Sequence, residues 1–481
     1  MNTCLVTTTI PYVNARPHVG FALELVQADV IARWHRLRGD DTFFLTGTDE
    51  NAIKNVVVAR EQGLTPRELC DRNAGVFEDL LVKLCISSDL FIRTSSEAHH
   101  RGARKFWDAC LSDIATERYR GKYCVGCEDF YLDRDLVDGA CPVHLKPVQL
   151  VEEENYFFKL SRFQDIVREA IGSSVYRVVP DTRRNEALAF IDRGLRDFSI
   201  SRSIERSDGW GVRVPGDDSQ TLYVWFDALT NYLNGVGYGD DPDTFARYWQ
   251  NADRIIHVIG KDVLKFHALY WPAMLSSVGL RLPTDLHVHG FLTVNGQKIS
   301  KSLGNAVDPF PIIERYGADA LRYYLLRYVP SGEDSDFSHE RFAEIYESDL
   351  ANGLGNLVSR LEALAVRAGL GPVRLEELRQ DAPEGLEDRR FHLTIDRLWN
   401  SVRKINRDIE FQRPWEYLQA GRLDLLGGIV TGWIQELLGF SERISPFLPE
   451  TSAEIRSRFT GGDISHGAAL FPRIRTSSRI E

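Results

Sequence analysis

TCLVTTTIPYVNARPHVGFALELVQADVIARWHRLR, residues 3–38, is the stretch that decides the fold. From Thr3 to Ile10 the β-branched residues read as a strand, and from Val19 to Arg38 apolar residues return at helical spacing. Strand, turn and helix in that order open a parallel α/β sheet, and the turn lies where free N–H groups and the helix dipole favour an anion. It carries His18-Val19-Gly20-Phe21. An imidazole there suits a phosphate, and Gly20 lets a flat adenine approach the backbone; a satisfied structural His18 is the alternative. Phe21 stands where a second imidazole would complete a His-x-Gly-His turn.

Outward from this unit the same rhythm returns. TFFLTGTDE (42–50), RIIHVIGKD (254–262) and DLHVHGFLTVNG (285–296) are apolar runs whose carboxyl ends turn polar. They imply a nucleotide-binding parallel sheet interrupted by a Tyr-, Arg- and Cys-rich segment of different periodicity. From about Phe342 the strand pattern stops and ESDLANGLGNLVSRLEALAVRAG begins a helical third. The expected organisation is a first catalytic half over 1–114, an insertion over 115–208, a second catalytic half over 209–341 and a helical domain over 342–481.

A chain of 481 residues with 43% hydrophobic and 26% charged residues is an ordinary multi-domain globular protein. The longest apolar stretch, LLGGIVTGWIQELLGF, is too short and too polar to cross a bilayer. The N-terminus lacks the basic region and cleavage site of a secretory signal, so a cytoplasmic location is expected. A net charge of −11 excludes a protein that coats nucleic acid nonspecifically, while leaving room for a local basic face.

Of the seven cysteines, Cys4, Cys70, Cys85 and Cys110 stand alone and read as small buried hydrophobes. The others form Cys124-Val-Gly-Cys127 and, thirteen residues on, Cys141-Pro-Val-His144. Three thiolates and an imidazole at this spacing make a closed tetrahedral Zn²⁺ shell, structural because no coordination position is left open. Gly296-Gln-Lys298-Ile-Ser-Lys301-Ser302-Leu-Gly304 is a glycine-bracketed loop with two lysines three apart. Alone it reads as a solvated loop; with the His18 turn at the start of the same sheet, it reads as a clamp on a triphosphate.

With these motifs the chain resembles the class I aminoacyl-tRNA synthetases, and within them the methionyl-tRNA synthetase family. TTTIPYVNARPHVG, FLTGTDE, the cysteine knuckle, EENYFFKLS, GLRDFSISR, LYVWFDALTNYL, HVIGKDVLKFHALYWPAML, VHGFLTVNGQKISKS, GADALRYYLLR and DLANGLGNLVSR all look like that family's blocks. The resemblance implies a Rossmann-like catalytic sheet, a zinc-bearing connective insertion and an α-helical anticodon-binding bundle. It also implies activation of L-methionine by ATP with Mg²⁺, followed by transfer to tRNA(Met).

By the same resemblance His18 and Lys301 contact the phosphates, Lys298 supports the loop, and Gly260 with Asp262 holds the ribose. Gly20 and Phe21 complete the nucleotide turn. Asp49 binds the substrate ammonium, and Ile10, Tyr12, Trp225, Ala228, Tyr232, Val263 and His267 form the methionine pocket, with Tyr12 and His267 able to hydrogen-bond the thioether. Without the family, Trp225 and Tyr232 read equally well as core residues. Asn356 and Arg360, one helical turn apart, and Trp415 correspond to residues that read the CAU anticodon, with Arg397, Arg403, Lys404, Arg407 and Arg413 as the local basic surface. A solvated helix face with a core tryptophan is the alternative.

Two departures stand out. Phe21 replaces the second histidine, and Asn51-Ala52 follow Asp49-Glu50 where the family usually has His-Gly. A phenyl ring cannot donate to a phosphate oxygen, and one preorganised donor contributes roughly 3–4 kcal/mol, so histidine at 21 is expected to speed adenylation. If Phe21 instead packs beneath the helix, histidine is a misfit. The chain ends without the extra domain that dimerises some members, so a monomer is expected. The rival readings are a paralogue serving as a specialised second copy or delivering its adenylate elsewhere, and a noncatalytic tRNA-binding protein, which leaves the Lys301 loop without a purpose.

Overall fold

The computed structural model describes residues 2–124, 129–131, 136–142, 146–299, 305–374 and 386–474. In chain order the main elements are β1 (Thr3–Thr8), α1 (Val19–Leu37), β2 (Asp41–Thr48), β3 (Leu90–Arg93), α2 (Glu97–Ala109), β4 (Arg177–Val179), α3 (Val224–Leu229), β5 (Arg254–Gly260), β6 (Asp285–His289), α4 (Ala318–Arg327), α5 (Asn356–Ala368), α6 (Phe391–Gln412), α7 (Pro414–Gln419), α8 (Leu423–Ile444) and α9 (Pro449–Thr460). They fall into two compact units. One comprises Met1–Pro17, Asp41–Asp79 and Ser88–Val288; the other His18–Asp40, Leu80–Ser87 and His289–Glu481. No helix among the described residues is long and apolar enough to cross a membrane.

The first unit is built on a six-stranded sheet in the order β3-β2-β1-β5-β6-β4. β1 runs parallel to β2 on one side and β5 on the other, which explains its unbroken TCLVTT. A strand covered on both faces has no solvent side to alternate with. The strand order reverses beside β1, so the carboxyl ends of β1 and β5 open the crevice where α/β sheets hold ligands. Leu5, Leu45, Phe106, Trp107, Trp249, Ile255 and Trp271 form part of the core beneath it.

Within the expected insertion, Ile114–Cys124 and Gln149–Phe158 pair antiparallel from Ile114↔Phe158 to Tyr123↔Gln149. Arg177–Val179 differs from expectation: it pairs in parallel with Asp285–His287 and forms the edge of the six-stranded sheet as β4. Three residues are too few for periodicity to reveal a strand.

The second unit contains α1, α4 and the helical third. Beyond Ser335–Asp336 the described residues contain no further strand. α1 is buried almost all round, including Ala22, Leu23, Leu25, Val26, Val30 and Ile31. A hairpin of Leu292–Val294 with Gln297–Lys298 turns at Asn295-Gly296, both at positive φ, the conformation an Asn-Gly turn supplies at low cost. Asp336 pins that turn by accepting from Gly296 N at 2.9 Å and from Thr293 Oγ1 at 2.7 Å. This is the root of the Lys298–Lys301 loop; Lys301 itself lies outside the described residues.

Candidate active site

In the second unit, His18 is the N-cap of α1. Gly20 N–H donates to His18 Nδ1 at 3.0 Å. A backbone N–H can only donate, so Nδ1 is the acceptor and the neutral ring carries its proton on Nε2, as a donor. The ring folds over the first helical turn, and a Cβ at position 20 would stand 2.8 Å from His18 Cε1 and 2.9 Å from Nδ1. Gly20 therefore serves the histidine's own conformation, a reason beyond the room for adenine expected from sequence. Phe21 is 8% exposed. Its burial accords with the packing alternative, in which Phe21→His exchanges packing for a polar ring; the adenylation rate of that variant decides between the two readings.

In the first unit the remaining residues gather at the carboxyl ends of the strands. Tyr12 and Asp49 form an isolated parallel bridge beyond β1 and β2, and Asp49 N donates to Pro11 O at 2.9 Å. Asn55 Nδ2 donates to Asp49 O and Glu50 O, fixing the turn from below. Glu50 is wholly buried and held by Arg93 at 2.7 and 3.1 Å, by Thr48 at 2.9 Å and by Ser95. Lys54 Nζ lies 4.9 Å above the Tyr12 ring. Gly260 ends β5, and Asp262 and Val263 lie in the short 3₁₀ turn after it.

The aromatic wall is built by α3, by Tyr232 just beyond it, and by a π-helical turn over Phe266–Tyr270 that carries His267. Single π turns of this kind recur at functional sites. Trp225 stacks on Phe266 with ring centroids 3.7 Å apart and planes 4° from parallel. Ala228 and Tyr232 are buried. His267 Nδ1 lies 3.0 Å from Val263 O, and its Nε2 lies 2.7 Å from Tyr232 OH.

Burial pushes the pKa of His267 down to about 4, against the opposing pull of the Val263 carbonyl and Asp262, so the ring is neutral at physiological pH. The carbonyl must accept, hence Nδ1 carries the proton and Tyr232 OH donates to Nε2. Both ring nitrogens are thus engaged within the protein. His267 thereby orients Tyr232, and contact with a thioether would require one of these two bonds to be exchanged. Beneath them His257, also held neutral by burial, accepts from Trp271 Nε1 at 3.2 Å and meets Thr7 Oγ1 at 2.7 Å.

Sequence reasoning missed Phe266, His257 and the buried acid Asp227. Phe266 adjoins His267 in KFHALYW, and Asp227 is a lone charge in the apolar run YVWFDAL, which is the available signal for a buried network.

In the helical part of the second unit, Asn356 is exposed and starts α5 directly after a π-helical stretch, Tyr346–Gly355. Arg360 Nη2 bonds Glu410 Oε1 at 2.7 Å across to α6. Trp415, on α7, is 41% exposed, which excludes the core reading. Of the neighbouring cations, Lys404 pairs with Glu436 and Arg413 with Glu416. Exposed pairs of this type contribute little and release their cations readily.

Cys124 and Cys141 are buried, and neither is in a disulfide. Cys141 N donates to Lys146 O at 3.0 Å. Cys127 and His144 lie outside the described residues, and among the described residues no three metal-binding side chains converge.

A family model described as tRNA synthetases class I (M) matches residues 4–149 and 144–362. The chain is 37% identical to a methionine–tRNA ligase of Thermotoga maritima, an alignment covering 98% of this chain and 80% of that protein. It is 39% identical to the methionine–tRNA ligase of Brucella suis biovar 1, over 94% and 90% of the two chains. Among solved structures, Mycobacterium tuberculosis methionyl-tRNA synthetase in complex with methionyl-adenylate superimposes with a TM-score of 0.89 at 36% identity, covering 98% of this chain and all of that one.

Proposed function

The chain belongs to the methionine–tRNA ligase family of class I tRNA synthetases, and we infer from the residues above how it divides the family's reaction among its parts. The enzyme joins methionine to tRNA in two steps. The methionine carboxylate attacks the α-phosphorus of ATP and pyrophosphate leaves; the adenylate is then attacked by a terminal hydroxyl of tRNA. Mg²⁺ enters with ATP. The protein's contribution is positioning and charge stabilisation, since no covalent enzyme intermediate is required.

The observation that carries the assignment is the coincidence, at the carboxyl ends of β1, β2 and β5, of a buried carboxylate with an aromatic wall whose polar groups are already satisfied. Asp49 takes the ammonium. Trp225, Phe266, Tyr232, Ala228, Ile10, Tyr12 and Val263 receive the unbranched, polarizable side chain, which favours contact with aromatic rings. Gly260 and Asp262 take the ribose, while His18, Lys298, Lys301 and the N-terminus of α1 take the phosphates. Pyrophosphate exchange measured with each of the twenty amino acids tests this. Exchange dependent on methionine, with methionine charged onto tRNA, supports it; exchange driven by another amino acid overturns it.

Asn356, Arg360 and Trp415 read the anticodon. Trp415→Ala is expected to raise the KM for tRNA about 5- to 150-fold, the equivalent of roughly 1–3 kcal/mol for one stacked base, with pyrophosphate exchange unchanged. Equal losses in both assays would instead make Trp415 a packing residue.

Cys124, Cys127, Cys141 and His144 hold one structural Zn²⁺, a role the donor set and the burial of its two described thiols support. Metal analysis should return about one zinc per chain. Cys127→Ser should loosen the insertion and impair tRNA charging more than adenylation.

A further inference from the structure

We propose that Asn51 is a positioning residue for the amino-acid site, latching α3, which carries Trp225 and Ala228, to the turn after β2, which carries Asp49. The proposal rests on the reading of that site given above and assigns a role to the residue that stands where the family usually has histidine.

Asn51 lies two residues after Asp49 and is 8% exposed. Its Nδ2 donates to Thr94 O at 3.0 Å, just past β3, and to Asp227 Oδ2 at 2.7 Å. Asp227 is fully buried in α3, two residues after Trp225 and one before Ala228. Its other oxygen, Oδ1, meets His99 Nε2 of α2 at 2.8 Å. A buried carboxylate is tolerated only where donors meet it, and Asp227 has no part in the proposed chemistry. Its charge is spent on geometry: one oxygen ties α3 to α2, the other ties it through Asn51 to the turn of Asp49 and to the end of β3.

The same turn is fixed on its other flank by Glu50 with Arg93 and by Asn55. Asp49 and the aromatic wall are therefore held at a set separation by a carboxamide that spends both Nδ2 hydrogens on acceptors from two different elements. Alanine at 51 supplies no donor, and a carboxylate at 51 would face Asp227 with like charge. The other ionisable groups around the pair are His99 and His100 on α2, with Asp49 and Glu50 on the turn and Arg93, paired with Glu50, at the end of β3.

The test is steady-state pyrophosphate exchange with the intact enzyme. Loss of a hydrogen bond to a buried charge should raise the methionine KM of Asn51→Ala about tenfold, with kcat and the ATP KM within about threefold. Asn51→Asp keeps the side-chain size. Two facing carboxylates share one proton, and the protonated one restores a donor. Relative to the parent enzyme measured at each pH, the methionine KM of Asn51→Asp should therefore be raised at pH 8.5 and fall by several-fold at pH 6. If the alanine variant does not fold, this pH profile carries the test, and a flat profile overturns the proposal. Trp225→Ala is the control. If it raises the methionine KM while the Asn51 variants do not, or if they lower kcat alone, the latch is refuted; if Trp225→Ala also leaves the methionine KM unchanged, the amino-acid-site reading itself fails.

Discussion

Gly20→Ala is expected to lower the rate of methionyl-adenylate formation by about 10²–10³-fold, as much as His18→Ala, because removal of one preorganised donor to developing charge typically costs that much in kcat. A methyl group at position 20 would lie 2.8–2.9 Å from two atoms of the His18 ring. Contacts that short must be relieved, and the imidazole, at the end of two rotatable bonds, is what yields. Its Nδ1 then loses the Gly20 N–H and its Nε2 proton leaves the place where the phosphate is proposed to sit. Stability should barely register this, since alanine is the better helix former by about 1 kcal/mol, against a cap worth about the same. The pattern to look for is a near-normal melting temperature, a methionine KM close to that of the parent, and a collapsed rate. A Gly20→Ala enzyme within about threefold of the parent rate would show that the ring's position at the helix start is not what catalysis uses.

This prediction marks the line between what was legible in the sequence and what was not. The strand-turn-helix at 3–38 was legible because a β-branched run and a 3.6-residue period are local signals, and the structure returns β1 and α1 almost at the expected bounds. The short distance from Gly20 to the His18 ring was not, because it depends on a rotamer. Trp415 as an exposed residue and Tyr232 as a wall residue were both ambiguous from composition alone; exposure decides the first, while Tyr232 is buried in the core cluster and bonded to His267. The partners of His267 were not legible, because which groups reach its two nitrogens, Val263 O and Tyr232 OH, depends on the fold. β4 escaped notice because three residues carry no period, and the Asn51–Asp227–His99 chain because its members lie far apart in sequence.

The second large effect is in stability. Of the two arginines in GADALRYYLLR, Arg322 of α4 is fully buried. Within the second unit its guanidinium meets Asp29 of α1 at 2.7 Å and donates to Phe447 O at 2.7 Å, Pro446 O at 2.9 Å and Leu84 O at 3.2 Å. One side chain thus fastens the helix that begins with His18 to the segment between α8 and α9. Burial alone would raise the pKa of Asp29, but Arg322, Arg33 and two hydrogen bonds from Ser87 outweigh it and hold the carboxyl below its ordinary value. Asp319, a turn earlier on α4, is pushed up to about 6 by burial, with Arg322 opposing the rise.

Arg322→Met keeps much of the volume and removes every donor. Breaking a buried ion pair from one side costs roughly 3–5 kcal/mol, which for a unit of about 200 residues corresponds to a melting temperature lower by about 10 °C. Arg322→Lys should recover part of this, since a point charge can meet Asp29 but cannot reach three carbonyls as a planar fork does. The sign with pH separates the charge from the packing. A carboxylate with a depressed folded-state pKa contributes stability that is full above its unfolded value and is lost as pH falls through the lower folded value, so the Asp29 share of the Arg322→Met deficit should be full from about pH 4 upward and shrink below it. Asp319 adds in the same direction: without Arg322 its ionised form is disfavoured further, and stability drains from the variant as pH rises through and above 6. Melting curves of the two variants and the parent from pH 2.5 to 8 measure this directly, and a deficit independent of pH across that range would assign Arg322 to packing alone.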